Sequence, residues 1–163
     1  MKVYIGIDIG QTGGLAALKN SEVIEVIKTP QKQNKDIDVV KIKEFIKKHN
    51  PDFVMVEHSQ SIYGTSSKAN FNFGRNFGVI LGVIEGDFSY EMVKPRVWQK
   101  EIWSSSDKVF VIGSKVNTKK TSLNSAKRLF PKESFLATKR SKKPHDGMVD
   151  AALIALYAER KNL

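Results

Sequence analysis

The fold is decided by residues 2–27, KVYIGIDIGQTGGLAALKNSEVIEVI. Residues 2–9 are apolar and β-branched, which is typical of a buried strand. A glycine-rich turn follows, and residues 15–18 and 23–27 are two further apolar runs of strand length. Because the connections between the three runs are short, the pattern predicts an antiparallel three-stranded meander.

The rest of the chain alternates between helical and strand patterns. Residues 36–49 have helical apolar spacing, with Asp36 as the expected cap, and residues 53–56 are a second buried strand that ends on Glu57. The later segments predict a long helix over 66–84, a strand over 89–93, a short helix from Pro95, a helix over 118–130, and a final helix from His145 to about Lys161 with Pro144 in its first turn. This order predicts an α/β fold with a mixed five-stranded sheet and helices on both faces, in a single domain over residues 1–163.

Three glycines at fourfold spacing, Gly74, Gly78 and Gly82, mark one face of the predicted helix over 66–84. Glycine inside a helix lowers helix stability by up to about 1 kcal/mol relative to alanine, so three such glycines indicate a packing or functional role. We expect a close approach at this face. Packing against the sheet and a dimer interface are both open.

The excess of basic over acidic residues lies in one segment. The chain has a net charge of +10, and residues 94–143 alone contain 14 Lys or Arg against three Asp or Glu. Such a block favours a polyanion-binding surface over an ordinary solvated one. The absence of cysteine excludes disulfides, zinc–thiolate sites and thiol catalysis. With no membrane-length apolar run and no signal-peptide pattern, we expect a cytoplasmic protein without a membrane partner.

Four carboxylates occupy positions that are costly without a cation. Asp8 lies in an apolar strand, Glu57 ends another strand, and Asp146 and Asp150 are four residues apart on the last helix. The carboxyl ends of strands are where α/β proteins usually bind ligands. Converging acids repel unless a cation joins them, and Mg²⁺ or Mn²⁺ prefers oxygen ligands. The alternative for each acid alone is a strand-end or helix cap.

These positions resemble the RuvC-type Holliday junction resolvases of the RNase H-like nuclease superfamily. The matching segments are Gly6-Ile7-Asp8-Ile9-Gly10, Val56-Glu57, Phe73 to Gly78, Val93-Lys94-Pro95 with Trp98, and His145 to Ala151. The resemblance implies an RNase H-like fold and a homodimeric endonuclease. It would cut four-way junctions and other branched DNA, three-way junctions among them, with two Mg²⁺ or Mn²⁺ ions per site.

Carried over by position, Asp8, Glu57 and Asp150 match the catalytic metal ligands of this family, and Asp146 resembles the fourth. In the cellular bacterial enzymes the third acid lies three residues before the last, where this chain has Gly147. The His145-Asp146-Gly147 pattern is more similar to bacteriophage members, which would act in the host cytoplasm. His145 could share the role of Asp146 as a proton-transfer group, or could simply be an N-terminal helix residue.

The basic segment supplies candidate DNA contacts. Lysines and arginines there would contact phosphates, and Tyr63 would stack on an unpaired base at a junction. The candidate phosphate contacts are Lys94, Arg96, Lys119, Lys120, Lys127, Arg128, Lys139, Arg140, Lys142 and Lys143.

Two other functions compete. The first strand followed by Thr12-Gly13-Gly14 resembles the phosphate loop of sugar kinases and actin-like ATPases, although those proteins are much longer and no second phosphate motif is present. A non-catalytic nucleic-acid-binding module would explain the basic segment, but it would leave the placement of the four acids unexplained.

Overall fold

The computed structural model describes residues 1–58 and 66–163 and contains a mixed five-stranded sheet. Its strands are β1 (Val3–Asp8), β2 (Gly14–Lys19), β3 (Glu22–Lys28), β4 (Phe53–Glu57) and β5 (Tyr90–Val93). The spatial order is β3-β2-β1-β4-β5, with β1, β2 and β3 antiparallel and β1, β4 and β5 parallel. The predicted meander and mixed sheet are confirmed.

Helices cover both faces of this sheet. They are α1 (Val39–His49), α2 (Ser67–Ile84), α3 (Pro95–Ile102), α4 (Thr118–Leu129) and α5 (Asp146–Lys161). Along β1, Ile5 and Ile7 pack into the apolar cluster of α1 and α2, whereas Tyr4 packs into the cluster of α5. Because side chains alternate along a strand, Asp8 lies on the α5 face with Tyr4. The expected α/β fold with helices on both faces is confirmed.

Two predicted helix starts are wrong. Helix α1 is capped by Asp38, whose side chain accepts a hydrogen bond from the Lys41 amide, and not by Asp36. A β-bridge between Gln31 and Ile37 keeps the backbone extended through residue 37. Pro144 is not in the first turn of α5. The amide of His145 donates to the Phe135 carbonyl at 2.8 Å, so the helix begins only at Asp146.

Among the described residues, the glycines of α2 face open space. A Cβ added at Gly74, Gly78 or Gly82 would meet nothing there within 4 Å, so of the two open interpretations, packing of this face against the sheet is wrong and the dimer interface stays a prediction. The close approach lies elsewhere, where α5 crosses the sheet. A Cβ at Gly6 would collide with the backbone of Ala151 and Ala155. Helix α5 therefore sits directly on β1, which brings its first turns to the end of that strand.

The polar segment between α3 and α4 forms a 3₁₀ turn (Ser105–Asp107) and a small hairpin of β6 (Phe110–Val111) and β7 (Lys115–Val116). Buried Asp107 ties the turn to α4. Its carboxylate accepts hydrogen bonds from Arg128, at 2.6 Å, and from the Ser125 hydroxyl, at 2.9 Å. The Arg128 guanidinium holds the pKa of Asp107 well below its usual range. No helix in the described part of the chain is long and apolar enough to cross a bilayer.

Candidate active site

Two of the predicted acids end neighbouring parallel strands. Ile7 of β1 is paired with Val56 of β4, so Asp8 and Glu57, the next residues, emerge side by side on the α5 face. Glu57 is 9% exposed, and its Oε1 accepts a hydrogen bond of 2.9 Å from the indole Nε1 of fully buried Trp98. The strand geometry and this hydrogen bond fix the carboxylate at the carboxyl edge of the sheet.

Helix α5 brings the other two acids to the same edge. Asp146 and Asp150 are one turn apart, so both project from one side of the helix. The start of the helix is held close to the turn after β1, because a Cβ at Gly147 would collide with the backbone of Thr12 and Gly13. Only glycine allows this approach. The contact also covers the turn at Thr12 and Gly13, which a phosphate loop would need to keep open for a nucleotide.

The same contact explains the departure from the resolvase pattern at position 147. An aspartate there would drive its Cβ into the backbone of Thr12 and Gly13. The chain therefore has no room for an acid at this position. Its additional carboxylate lies one residue earlier, at Asp146.

The charges of the four acids act on one another. Burial raises the pKa of Asp8 well above its usual value, and the charges of Glu57, Asp150 and Asp146 raise it further. A hydrogen bond between the side chains of Asp8 and Glu57 acts in the same direction. The arrangement is costly in its fully ionised form, and a proton or a cation relieves it.

Asp150 carries the clearest sign of an incomplete site. Burial raises its pKa to about 7, and a hydrogen bond from Ser122 only partly offsets this. Its Oδ1 is buried without a hydrogen-bond partner among the described residues. A buried carboxylate oxygen that faces other acids and lacks a donor is suited to a cation.

The donor set fits Mg²⁺ or Mn²⁺, because every candidate ligand is a carboxylate oxygen. Within residues 1–58 and 66–163, no group of three or more His, Cys, Asp or Glu side chains is arranged to bind one metal ion. Two present contacts account for this. Asp8 and Glu57 are hydrogen-bonded to each other, and Asp146 is held by Lys119. Side-chain rotation would be needed to gather all four around ions.

Asp146 is more open than the other three acids. Its side chain is 54% exposed, and its Oδ2 lies 2.9 Å from the Nζ of Lys119 on α4. His145 is the N-cap of α5, and its Nδ1 accepts a 3.4 Å hydrogen bond from the Met148 amide. Burial lowers the pKa of His145, so the neutral ring that this contact requires is favoured. Its possible part in proton transfer stays a prediction.

Among the candidate phosphate contacts, Lys94 and Lys119 lie at this edge. Lys94 follows β5 directly, and Arg96 is exposed on the first turn of α3. On α4, Lys119 contacts Asp146. The remaining lysines and Arg140 are exposed on α4 or on the loop before α5: Lys120, Lys127, Lys139, Arg140, Lys142 and Lys143.

Two of the candidate DNA contacts stand apart. Arg128 is already engaged, since its Nε and Nη2 donate to Asp107 and Nη2 also donates to the Ile102 carbonyl. This makes it an anchor of the segment between α3 and α4. Tyr63 lies outside the described residues, so its proposed stacking stays a prediction.

Sequence reasoning missed three contacts at the site. Trp98 was noted only as part of a motif, yet it donates to Glu57. Ser122 hydrogen-bonds Asp150 and is buried, but no pattern in the sequence distinguishes it from the other polar residues of α4. The pairing of Lys119 with Asp146 joins residues that are 27 positions apart, and no local pattern predicts it.

No protein-family sequence model and no curated protein sequence matches the chain. Solved structures do match. RuvC from Thermus thermophilus in complex with a Holliday junction substrate has a TM-score of 0.63 at 19% identity, covering 99% of this chain and 96% of that one. Another structure of Thermus thermophilus RuvC has a TM-score of 0.60 at 20% identity, covering 98% and 96%.

A viral enzyme is also similar. The Fowlpox virus resolvase in complex with Holliday junction DNA has a TM-score of 0.52 at 16% identity, covering 99% of both chains. At these identities the likeness concerns the fold. Together with the strand order, it confirms the RNase H-like α/β architecture that the sequence predicted. The chain has the fold of the RuvC-type Holliday junction resolvases.

Proposed function

We propose that the chain is a divalent-metal-dependent endonuclease that cuts Holliday junctions and other branched DNA. One observation carries this proposal. Asp8 and Glu57 end the neighbouring strands β1 and β4, the charge of Asp150 acts on Asp8, and a buried oxygen of Asp150 lacks a donor among the described residues. The fold supports it, because the similar Thermus and Fowlpox virus proteins were solved with Holliday junction DNA.

Each acid has a distinct part in the proposal. Asp8, Glu57 and Asp150 would hold the metal from buried, oriented positions, with Trp98 fixing Glu57. Asp146 would complete the set once Lys119 turns to a DNA phosphate. Two bound Mg²⁺ or Mn²⁺ ions would activate the attacking water and stabilise the leaving 3′ oxygen.

The basic residues would place the scissile strand. Lys139, Arg140, Lys142 and Lys143 are exposed immediately before α5, whose first turn carries Asp146. Phosphates held there would run past the acidic edge. Affinity for DNA should then fall steeply with salt concentration.

The assembly and setting belong to the same proposal. A single nuclease domain over residues 1–163 would act as a homodimer, because a four-way junction presents two symmetric strands for cutting. The open face of α2 at Gly74, Gly78 and Gly82 is our candidate for the contact between copies. The protein would work in the cytoplasm, of a host cell if a phage encodes it.

The test is cleavage of labelled four-way, three-way and linear DNA with Mg²⁺ or Mn²⁺, with the cuts mapped at single-nucleotide resolution. The proposal predicts cuts near the branch in both junctions and little cutting of the linear duplex. Binding without cutting under either metal would favour the non-catalytic binding module. Equal cutting of linear and branched DNA would contradict the structure selectivity.

A further inference from the structure

The hairpin of β6 and β7 exposes apolar side chains to solvent. Phe110 is 59% exposed, Val111 is 45% exposed, and Ile112 at its tip is fully exposed. The hairpin pairs with itself, through Phe110 with Val116 and Val111 with Lys115. A run of exposed apolar side chains at the end of a projecting element indicates a binding function.

The base of the hairpin is firmly attached to α4. The Asn117 amide donates to the Val109 carbonyl at 2.7 Å, and the Val109 amide donates to the Thr121 hydroxyl at 3.1 Å. Two residues further back, the side-chain amide of Asn124 donates to the Asp107 carbonyl at 3.0 Å. These hydrogen bonds fix the position of the hairpin base relative to α4.

This base lies beside the acidic edge. Strand β7 ends at Val116, and Lys119, three residues later, contacts Asp146 at 2.9 Å. The base of the hairpin is thus beside the proposed active site. DNA that contacts both the tip and the start of α4 would pass the carboxylates.

The surroundings of the tip favour a polyanion. Residues 108–132 contain seven Lys or Arg and no Asp or Glu. A cleft between α3 and the hairpin is lined by Arg96, Lys100, Trp103, Lys108 and Val116, together with Gln99. Lys108 and Lys115 flank the apolar tip on either side and are both exposed. A duplex arm in this cleft would have its phosphates near lysines and its open end near the tip.

We propose that the hairpin is a wedge whose tip, Phe110 to Ile112, inserts between bases at the branch point of DNA and holds the scissile strand toward Asp146. The choice of DNA as the ligand rests on the proposed function, and the wedge explains how the branch point would be recognised. Apolar side chains that enter base steps unstack them, and an aromatic ring stacks on any exposed base. A branch point offers such bases without the full cost of opening a duplex.

Charge argues for DNA over a second copy of the chain. If two hairpins met tip to tip, Lys108 and Lys115 of both copies would be brought together, and like charges at close range repel. DNA instead offers phosphates for the lysines and base faces for the apolar tip. A docking partner with both features matches both parts of the hairpin.

The test uses the full chain with Phe110→Ser and Ile112→Ser combined. Val40→Ser serves as the matched control, because Val40 is 63% exposed on α1, which packs on the opposite face of the sheet. Affinity is measured with Ca²⁺ for a four-way junction and a linear duplex, with 2-aminopurine at the branch to report unstacking. Cleavage is measured with Mg²⁺ under single-turnover conditions.

We expect wild type to raise the 2-aminopurine fluorescence on binding. The double variant should lose this rise, bind the junction about tenfold more weakly and cut it at least tenfold more slowly, while its affinity for linear duplex changes less than twofold. The Val40→Ser control should match wild type. Thermal melts should be unchanged for both, since the replaced side chains are exposed.

A second pair of variants separates the lysines from the apolar tip. Lys108→Gln with Lys115→Gln should weaken binding to both DNA forms and reduce the slope of log affinity against log salt by about two. The apolar double variant should leave that slope unchanged. A changed slope in the apolar variant would contradict base insertion.

Three results would overturn the wedge. These are a double variant that binds and unstacks like wild type, an equal loss on linear and branched DNA, and a wild-type dimer in sedimentation that the double variant breaks into monomers. Failure of the proposed function is distinct. Wild type that unstacks the branch but cuts no DNA with Mg²⁺ or Mn²⁺ would leave the wedge standing and reject the nuclease.

Discussion

Replacing Asp150 with asparagine should stabilise the metal-free protein at neutral and alkaline pH. The carboxylate is buried, one of its oxygens lacks a hydrogen-bond partner in the described part of the chain, and Glu57 and Asp146 face it. Asparagine keeps the size and removes the charge. A proposed metal ligand whose replacement stabilises the metal-free fold is the signature of a site built for a cation.

The magnitude follows from the pKa of Asp150, which rises from 3.8 to about 7. At 1.36 kcal/mol per unit, ionisation of Asp150 costs the folded state at most about 4 kcal/mol. The asparagine amide must also be desolvated, so we expect a gain of about 1–3 kcal/mol. In a domain of this size that is a rise in Tm of roughly 3–10 °C.

The stabilisation by Asp150→Asn should depend on pH. An acid whose pKa is higher in the folded state binds its proton more tightly there, so wild-type stability falls as pH rises from about 4 to about 7. The advantage of Asp150→Asn should be absent near pH 4 and complete above pH 7. Added Mg²⁺ should stabilise wild type and leave the variant nearly unchanged.

The assay is urea unfolding in EDTA at pH 4.5 and pH 8, repeated at pH 8 with Mg²⁺. Asp146→Asn is the matched control, because Asp146 lies one turn earlier on α5 but is 54% exposed and paired with Lys119. It should be neutral or slightly destabilising. An equal effect of Asp150→Asn at both pH values, or a loss of stability at pH 8, would refute the reasoning.

Two further predictions follow from single contacts. Trp98→Phe removes the hydrogen bond to Glu57 and should slow junction cleavage about tenfold at unchanged junction affinity. Weakened junction affinity in this variant would instead point to a disturbed fold. Gly147→Ala should cost about 2–4 kcal/mol in denaturant unfolding, because its Cβ meets the turn after β1, while Gly78→Ala in the open face of α2 should stabilise by up to about 1 kcal/mol. Equal effects would contradict the close approach of α5.

The sequence predicted the sheet well because its strands are strongly patterned. The first strand and its meander are buried and short-linked, so apolar runs and glycine turns were sufficient. Glu57 could be placed at the edge of the sheet because a strand of five residues ends on it. The acidic positions were thus found from local patterns together with the family resemblance.

What could not be predicted depends on contacts between distant segments. The position of α5 over β1 requires Gly6 and Gly147 to approach other backbone atoms, and their spacing gives no sign of this. The regular repeat of glycines in α2 predicted close packing, but the repeat alone does not show whether a packing partner lies within the chain. The exposed hairpin after α3 was ambiguous, since two-residue strands are too short for a periodic pattern.

In the proposed function, the carboxylates at the edge of β1 and β4 cut branched DNA by holding a divalent metal. The most direct measurement compares wild type with Asp8→Asn on one four-way junction, recording affinity with Ca²⁺ and single-turnover cleavage with Mg²⁺. We predict that Asp8→Asn binds the junction within about threefold of wild type and cuts it at least a thousandfold more slowly. Equal cutting by the two proteins would contradict the assignment of the site.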